Sequence, residues 1–323
     1  MIKLSALGDF IQALGPCAAI RAHHPGADIT LLTTRPYAPL AAQSPYFDQI
    51  WVDDRPRLWQ VGRFLSLRQR LRAPRFNRVY DLQTSDRSGH YFRLMRRRDG
   101  GPEWSGIARG CSHPHANPQR DPMHTLDRQA EQLAMAGIPK TPFPDLTWVQ
   151  ADLSGLDLPP KPFALIVPGG AAHRPEKRWP APLYGALAQR LVQEGWAPVV
   201  VGTHAEAEAA GHILEACPQA VSLIGKTDIP GLAALGQRAG LAVGNDTGPM
   251  HLLALVGCPS LVLYSHASDP ERCGQRGAWV DILRVPDLRG LEEPDVWQRA
   301  STLLSSAAGD ADEGRKTKLK ESP

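Results

Sequence analysis

One stretch, residues 241–264, constrains the chain more than any other. It reads Leu-Ala-Val-Gly-Asn-Asp-Thr-Gly-Pro-Met-His-Leu-Leu-Ala-Leu-Val-Gly-Cys-Pro-Ser-Leu-Val-Leu-Tyr. An apolar run, a polar turn, a helical segment and a second apolar run give a buried strand, a helix and a parallel strand. Gly244 falls where the first strand runs out. Asp246 or Thr247 is placed to cap the helix, and Pro249 suits its first turn, where a missing N–H costs nothing. Gly248 lets the backbone approach a ligand, and free N–H groups with the helix dipole favour phosphate. His251 lies about one turn further along the same face. An ordinary strand–turn–helix junction with Asp246 as a plain cap fits the same residues, so the rest of the chain has to decide between the two.

The same alternation recurs on a larger scale. Residues 1–4 read as the tail of a strand, short for a central one, and 5–9 as a tight loop. A helix follows, striped by Phe10, Ile11, Leu14, Ala18 and Ile20, until His24-Pro25-Gly26 ends it. Residues 28–33, 50–52 and 79–82 read as strands, 99–118 as irregular chain and 125–136 as a helix. Leu158-Pro159-Pro160-Lys161-Pro162 reads as a hinge. Beyond it, strands at 163–167, 198–201 and 221–224 alternate with helices at 183–194, 205–216 and 232–239. The pattern predicts an α/β protein of two doubly wound domains, 1–158 and 159–306. Two domains suit 323 residues. Residues 307–323 are polar and aperiodic and are expected to be disordered.

Composition narrows the function classes. No apolar run approaches the roughly 20 residues of a membrane helix, and no signal peptide is recognised, so a cytoplasmic protein is expected. Cys17, Cys111, Cys217, Cys258 and Cys273 are scattered without a CxxC, which argues against disulfides or zinc. His113, His115 and His124 sit in chain interrupted by proline, and no metal site is expected. The net charge of +3 is unevenly placed: between Arg55 and Arg98 lie thirteen arginines and only two acids, Asp81 and Asp86. A solvated arginine-rich helical face fits, and so does an anionic partner or membrane surface. No nucleic-acid partner is expected.

Familiar catalytic signatures are missing. Gly225-Lys226-Thr227 imitates the end of a P-loop, but Ala220 stands where its first glycine is needed. There is no Gly-x-Gly-x-x-Gly after either domain's first strand, no Gly-x-Ser-x-Gly, and Asp310-Ala311-Asp312 is in the tail. Two strand-end loops remain. Residues 168–179 carry Pro168-Gly169-Gly170 and Lys177, suited to phosphate charge. Asp9 stands at a helix start, where the dipole favours a carboxylate that can act as a general base or as a cap.

These pieces occur together in one family. Lys3-Leu4-Ser5-Ala6-Leu7-Gly8-Asp9, Asp81-Leu82-Gln83, Pro168-Gly169-Gly170 with Lys177-Arg178-Trp179-Pro180, and Asp246-Thr247-Gly248-Pro249-Met250-His251 resemble the ADP-heptose:lipopolysaccharide heptosyltransferases of glycosyltransferase family 9. His124-Thr125-Leu126-Asp127-Arg128 is similar to a family helix start. The resemblance implies a GT-B fold, two Rossmann-like domains facing a cleft, with acceptor on the first and nucleotide-sugar on the second. It implies inverting transfer without a metal or resident cofactor, with Asp9 as base. It assigns Lys177, Asp246, Thr247, Gly248 and His251 to the diphosphate and sugar, Glu206 or else Glu208 to the ribose, and Lys226 and Thr227 to the base. Gln83 and Arg87 are assigned to the acceptor.

The donor so implied is ADP-heptose and the acceptor a saccharide of the bacterial envelope; from its charge, the arginine-rich segment 55–98 is expected to face an anionic, lipid-linked acceptor, with peripheral contact at the inner face of the inner membrane. Two departures bear on the donor: Ala171 and Ala172 replace hydroxyl residues, and Ser265-His266-Ala267 replaces Gly-Pro-Thr. A transferase using another sugar, a non-catalytic nucleotide-sugar-binding protein and a sugar-nucleotide epimerase are the alternatives.

Overall fold

The computed structural model describes residues 1–56, 59–97, 100–171 and 173–320, with the side chains of 309–320 excepted. The chain divides into two compact units, Met1–Trp148 and Val149–Pro323, a boundary upstream of the expected hinge at 158.

In the first unit the strands are β1 (Thr30–Thr33), β2 (Gln49–Val52), β3 (Arg78–Tyr80), β4 (Glu103–Gly106) and β5 (His113–Pro114). β1 pairs with β2, and β3 with β4 and β4 with β5, all parallel. The amino-terminal residues join the two groups, because Ile2 bridges both Leu32 and Asp81 in parallel. The Ile2 and Lys3 N–H groups donate to the Tyr80 and Leu32 carbonyls at 2.9 and 3.0 Å. The short leading segment therefore acts as a central strand, and the loop it feeds emerges at the carboxyl ends of β1 and β3.

Helices α1 (Leu7–Gln12), α2 (Leu14–His23), α3 (Ala38–Gln43), α4 (Val61–Arg72), α5 (Asp86–Met95) and α6 (Thr125–Met135) complete this unit. Separate cores lie on the two faces. One gathers Leu67, Leu71, Tyr91, Phe92 and Trp104, the other Cys17, Ile20, Tyr80, Leu82 and Leu133. The single helix expected from Phe10 onward is broken at Ala13 into α1 and α2. The stretch expected to be irregular contains β4 and β5, whose Glu-Trp-Ser-Gly and His-Pro lack the apolar run of a buried strand.

The second unit carries β6 (Phe163–Val167), β7 (Ala197–Val200), β8 (Val221–Ser222), β9 (Leu241–Asn245), β10 (Ser260–Tyr264) and β11 (Val280–Arg284). They form one sheet in the order β11-β10-β9-β6-β7-β8, every pair parallel. Its helices are α7 (Ala181–Gln193), α8 (Ala207–Ala216), α9 (Ile229–Gly236), α10 (Gly248–Leu255), α11 (Pro270–Cys273) and α12 (Glu293–Lys320). The order reverses between β6 and β9. In doubly wound sheets that switch point is where ligands bind, outside the carboxyl ends of the strands. The Pro168-Gly169-Gly170 and Asp246-Thr247-Gly248 loops leave the sheet there.

α12 continues across 307–320, within the tail expected to be disordered. Alanine, glutamate and lysine favour a helix without needing the apolar period on which the expectation rested. Residues 321–323 lie outside the described part. No helix among the described residues is long and apolar enough to cross a membrane.

Candidate active site

In the second unit the site is built at the β6–β9 switch. Asn245, the last residue of β9, ties its walls together. Its Nδ2 donates to the Pro168 and Gly169 carbonyls, both at 2.9 Å. Its Oδ1 accepts from the Trp179 N–H at 2.9 Å and the Tyr184 hydroxyl at 3.0 Å. One buried amide thus fixes the loop after β6, the end of β9 and the start of α7.

Asp246 comes next, and its carboxylate does not cap α10. Lys177 Nζ lies 2.5 Å from its Oδ2, and Ser268 Oγ donates to the same oxygen at 2.6 Å. Oδ1 lies 3.0 Å from the Tyr264 hydroxyl and accepts from Gln275 Nε2 at 3.2 Å. Burial raises the Asp246 pKa, but the Lys177, Ser268 and Gln275 hydrogen bonds and the lysine charge outweigh it, leaving the carboxyl below its ordinary range.

Thr247 is the N-cap residue of α10 without a side-chain capping bond. Its Oγ1 is buried and has no hydrogen-bond partner among the described residues. A cation, an orphaned hydroxyl and the amides at a helix start therefore meet at one strand end, the chemistry that holds an oxyanion. His251 is buried in the first turn of α10.

Glu206 accepts from the Thr203 N–H and hydroxyl, both at 2.8 Å. It also crowds Gly169, where a Cβ would lie 3.2–3.3 Å from its carboxyl end. That places Glu206 at the mouth of β6, whereas Glu208 is exposed in the first turn of α8. Lys226 is exposed and Thr227 half-buried, in the turn between β8 and α9. They follow Gly225, whose φ of +69° favours glycine and whose backbone lies against the His204 ring. Of the alanines that replace hydroxyls, Ala172 lies outside the described residues.

The first unit holds the other candidates. Asp9 is the third residue of α1, and its Oδ2 accepts from the Ala6 N–H at 3.2 Å. Lys3 is buried beneath it with Nζ donating to the Leu82 carbonyl at 3.0 Å. Burial holds the Lys3 pKa down, Asp9 and Asp81 pulling it up and Arg128 down. Gln83 Oε1 accepts from the Leu4 and Ser5 N–H groups at 2.8 and 3.0 Å. Arg87 donates to the Tyr91 hydroxyl at 2.8 Å and lies 3.8 Å from the buried Asp53. A cavity of about 370 Å³ opens beside Ser5, lined also by Thr34, Arg35, Tyr37, Asp53 and Arg55.

The sequence reading missed Asn245, Tyr264, Ser268 and Gln275 in the second unit, and Thr34, Asp53, Arg55 and Tyr91 in the first. All but Gln275, Ser268 and Tyr91 sit at or just after a strand end, the one signal available. The three histidines serve locally: His124 Nδ1 accepts from the Leu126 N–H, His113 meets Ser112, and His115 lies 2.8 Å from Glu131. That acid stands 16 residues from His115 in sequence.

Comparison with known proteins gives the family and the fold. The family model described as glycosyltransferase family 9 (heptosyltransferase) matches residues 64–289. Lipopolysaccharide heptosyltransferase 2 of Escherichia coli is 28% identical over 299 residues, 83% of this chain and 82% of the relative. Lipopolysaccharide heptosyltransferase 1 of Pseudomonas aeruginosa is 25% identical over 301 residues, 86% and 80%. Among solved structures, a family 9 transferase from Veillonella parvula aligns with TM-score 0.82 at 22% identity, covering 94% of this chain and 96% of its own. E. coli ADP-heptose heptosyltransferase II aligns with TM-score 0.78 at 22% identity, covering 94% and 98%. At such identity the likeness is one of fold, and that fold is GT-B.

Proposed function

The chain belongs to glycosyltransferase family 9 and is a transferase, and from that premise we propose that it moves heptose from ADP-heptose to a lipopolysaccharide-type saccharide with inversion at the anomeric carbon. The observation that carries the reading is the Lys177–Asp246 pair beside the buried Thr247 hydroxyl, which has no partner among the described residues, at the start of α10. The names of the relatives supply the sugar and the acceptor class.

In this reading the acceptor hydroxyl loses its proton to Asp9 as its oxygen attacks the anomeric carbon. The bond from that carbon to the diphosphate breaks, and ADP leaves with the electron pair. Lys177, the Thr247 hydroxyl and the α10 amides meet the charge that develops, so the chemistry calls for no metal. Glu206, Lys226 and Thr227 hold the nucleoside, and Asp246, Gly248 and His251 the sugar and diphosphate. Arg87 faces an anionic acceptor, beside the Ser5 cavity whose lining balances Arg35 and Arg55 against Asp53 and Asp54.

We further assign a peripheral contact with the inner leaflet to α4. Trp59, Val61 and Leu65 are 72%, 60% and 53% exposed, beside exposed Arg63, Arg68 and Arg70. No acid occurs between Arg55 and Asp81. Exposed apolar side chains among uncompensated cations suit an anionic lipid surface. Arg57 and Arg98 of this segment lie outside the described residues.

The test is transfer assayed with ADP-heptose, alongside calorimetric titration with ADP, UDP and GDP. ADP is expected to bind best, and Asp9→Ala to abolish turnover while keeping ADP affinity. Equal binding of the three nucleotides would remove ADP-heptose as donor. Undiminished transfer by Asp9→Ala would remove the base.

A further inference from the structure

Three strand ends converge on one peptide unit of the first domain. Thr34 follows β1, Arg55 follows β2 and Gln83 follows β3. The Leu4 carbonyl accepts from Thr34 Oγ1 at 2.8 Å and from Arg55 Nη2 at 2.9 Å. Gln83 Oε1 takes the N–H groups of Leu4 and Ser5 at 2.8 and 3.0 Å. The segment so held runs directly into α1, where the Ala6 N–H reaches Asp9 Oδ2.

Gln83 is itself held from below. Asp81 is fully buried, and its Oδ1 accepts the Gln83 and Thr84 N–H groups at 3.1 and 3.0 Å. Thr84 has a positive φ of 45°, so these bonds secure a turn that threonine does not favour unaided. Lys3 Nζ bonds the intervening Leu82 carbonyl. An amide oxygen has two lone pairs. Both of those on Gln83 are spent on the loop, which leaves only Nε2 to meet a solute.

We propose that Gln83 is a positioning residue for the transfer reaction, fixing the Leu4–Ser5 backbone so that Asp9 presents its carboxylate to the acceptor hydroxyl, and that it is not an acceptor contact. The proposal rests on the reading of Asp9 as the base. A general base must come within about 2.6–3.2 Å of the proton's owner. A displacement of about 1 Å costs roughly a hundredfold in rate. Thr34 and Arg55 grip the carbonyl of this backbone; Gln83 alone among the three grips its N–H groups.

Gln83→Leu removes the oxygen at nearly constant volume, and Gln83→Glu keeps an oxygen able to accept both N–H groups. Steady-state kinetics and amide hydrogen exchange at Leu4 and Ser5 are measured on the full chain, with Asp9→Asn in parallel. In Gln83→Leu, kcat is expected to fall roughly ten- to a hundredfold, with KM for donor and acceptor unchanged and protection of the two amides lost. Gln83→Glu is expected to restore most of both. Should Gln83→Leu not fold, Gln83→Asn withdraws the same oxygen by one methylene and serves in its place.

A raised acceptor KM with kcat held would make Gln83 an acceptor contact and overturn the proposal, as would unchanged protection of Leu4 and Ser5. Full activity of Asp9→Asn would sink the base reading by itself. Loss of activity in Asp9→Asn with wild-type kcat in Gln83→Leu would sink the positioning role alone.

Discussion

Replacing Lys177 with methionine keeps a long side chain and deletes its charge. In the intact chain the ammonium lies 2.5 Å from Asp246, and the two side chains are 13% and 7% exposed. Removing one member of a buried pair leaves the other uncompensated, at a cost of about 3–5 kcal/mol. Asp246 retains its Ser268 and Gln275 hydrogen bonds, so a loss near the lower limit, about 3 kcal/mol at pH 7, is expected.

The pH dependence carries the diagnostic sign. Because the Asp246 pKa is lowered in the folded chain, its contribution is present above the unfolded value of about 3.9 and is lost as pH falls through the folded one. Without Lys177, burial prevails, the folded pKa rises above the unfolded value, and the residue costs stability as pH rises. The gap between intact chain and variant should therefore be small near pH 4 and widen toward neutrality. Urea unfolding followed by tryptophan fluorescence measures it, Trp179 being buried in the same unit. Asp246→Asn added to Lys177→Met should recover most of the loss, since no stranded charge remains. A gap that is flat from pH 4 to 8, or a double variant no more stable than the single, would refute the reasoning.

Thr247→Val should leave the thermal midpoint of the ligand-free chain unchanged or slightly raised, because the hydroxyl it deletes has no partner among the described residues. The same change should weaken ADP binding on the order of tenfold, the worth of one hydrogen bond to a charged group, read by calorimetry. For α4, co-sedimentation with vesicles containing anionic phospholipid at low salt should be lost on combining Leu65→Ser with Arg63→Ser and Arg68→Ser, and absent with neutral vesicles. Equal sedimentation of variant and intact chain would remove α4 as the lipid contact.

What could be read in advance follows from where the information lies. The run Leu241 to Val243 is apolar at every position because parallel strands are covered on both faces, so β9 and the turn after it announce themselves. β4 could not, since Trp104 and Gly106 make sense only against Phe92 and Asp81 from other elements. Asp246 looks locally like a cap, and its true partners Ser268 and Gln275 lie 22 and 29 residues further on. Gln83 was visible as part of a motif. That its oxygen turns to the backbone of Leu4 and Ser5, 79 and 78 residues away, depends on the sheet that brings the two segments side by side.

The Asn245 side chain bears on what the crevice proposed for the nucleotide-sugar can be taught to accept. With its carbonyl and amino groups both committed to the lips of that crevice, the outline is cast before any guest arrives. A bulkier sugar cannot be admitted by letting the rim give way. Altered preference has to be written in the side chains that line the mould, and an inhibitor drawn to fit it spends little of its affinity on reshaping the host.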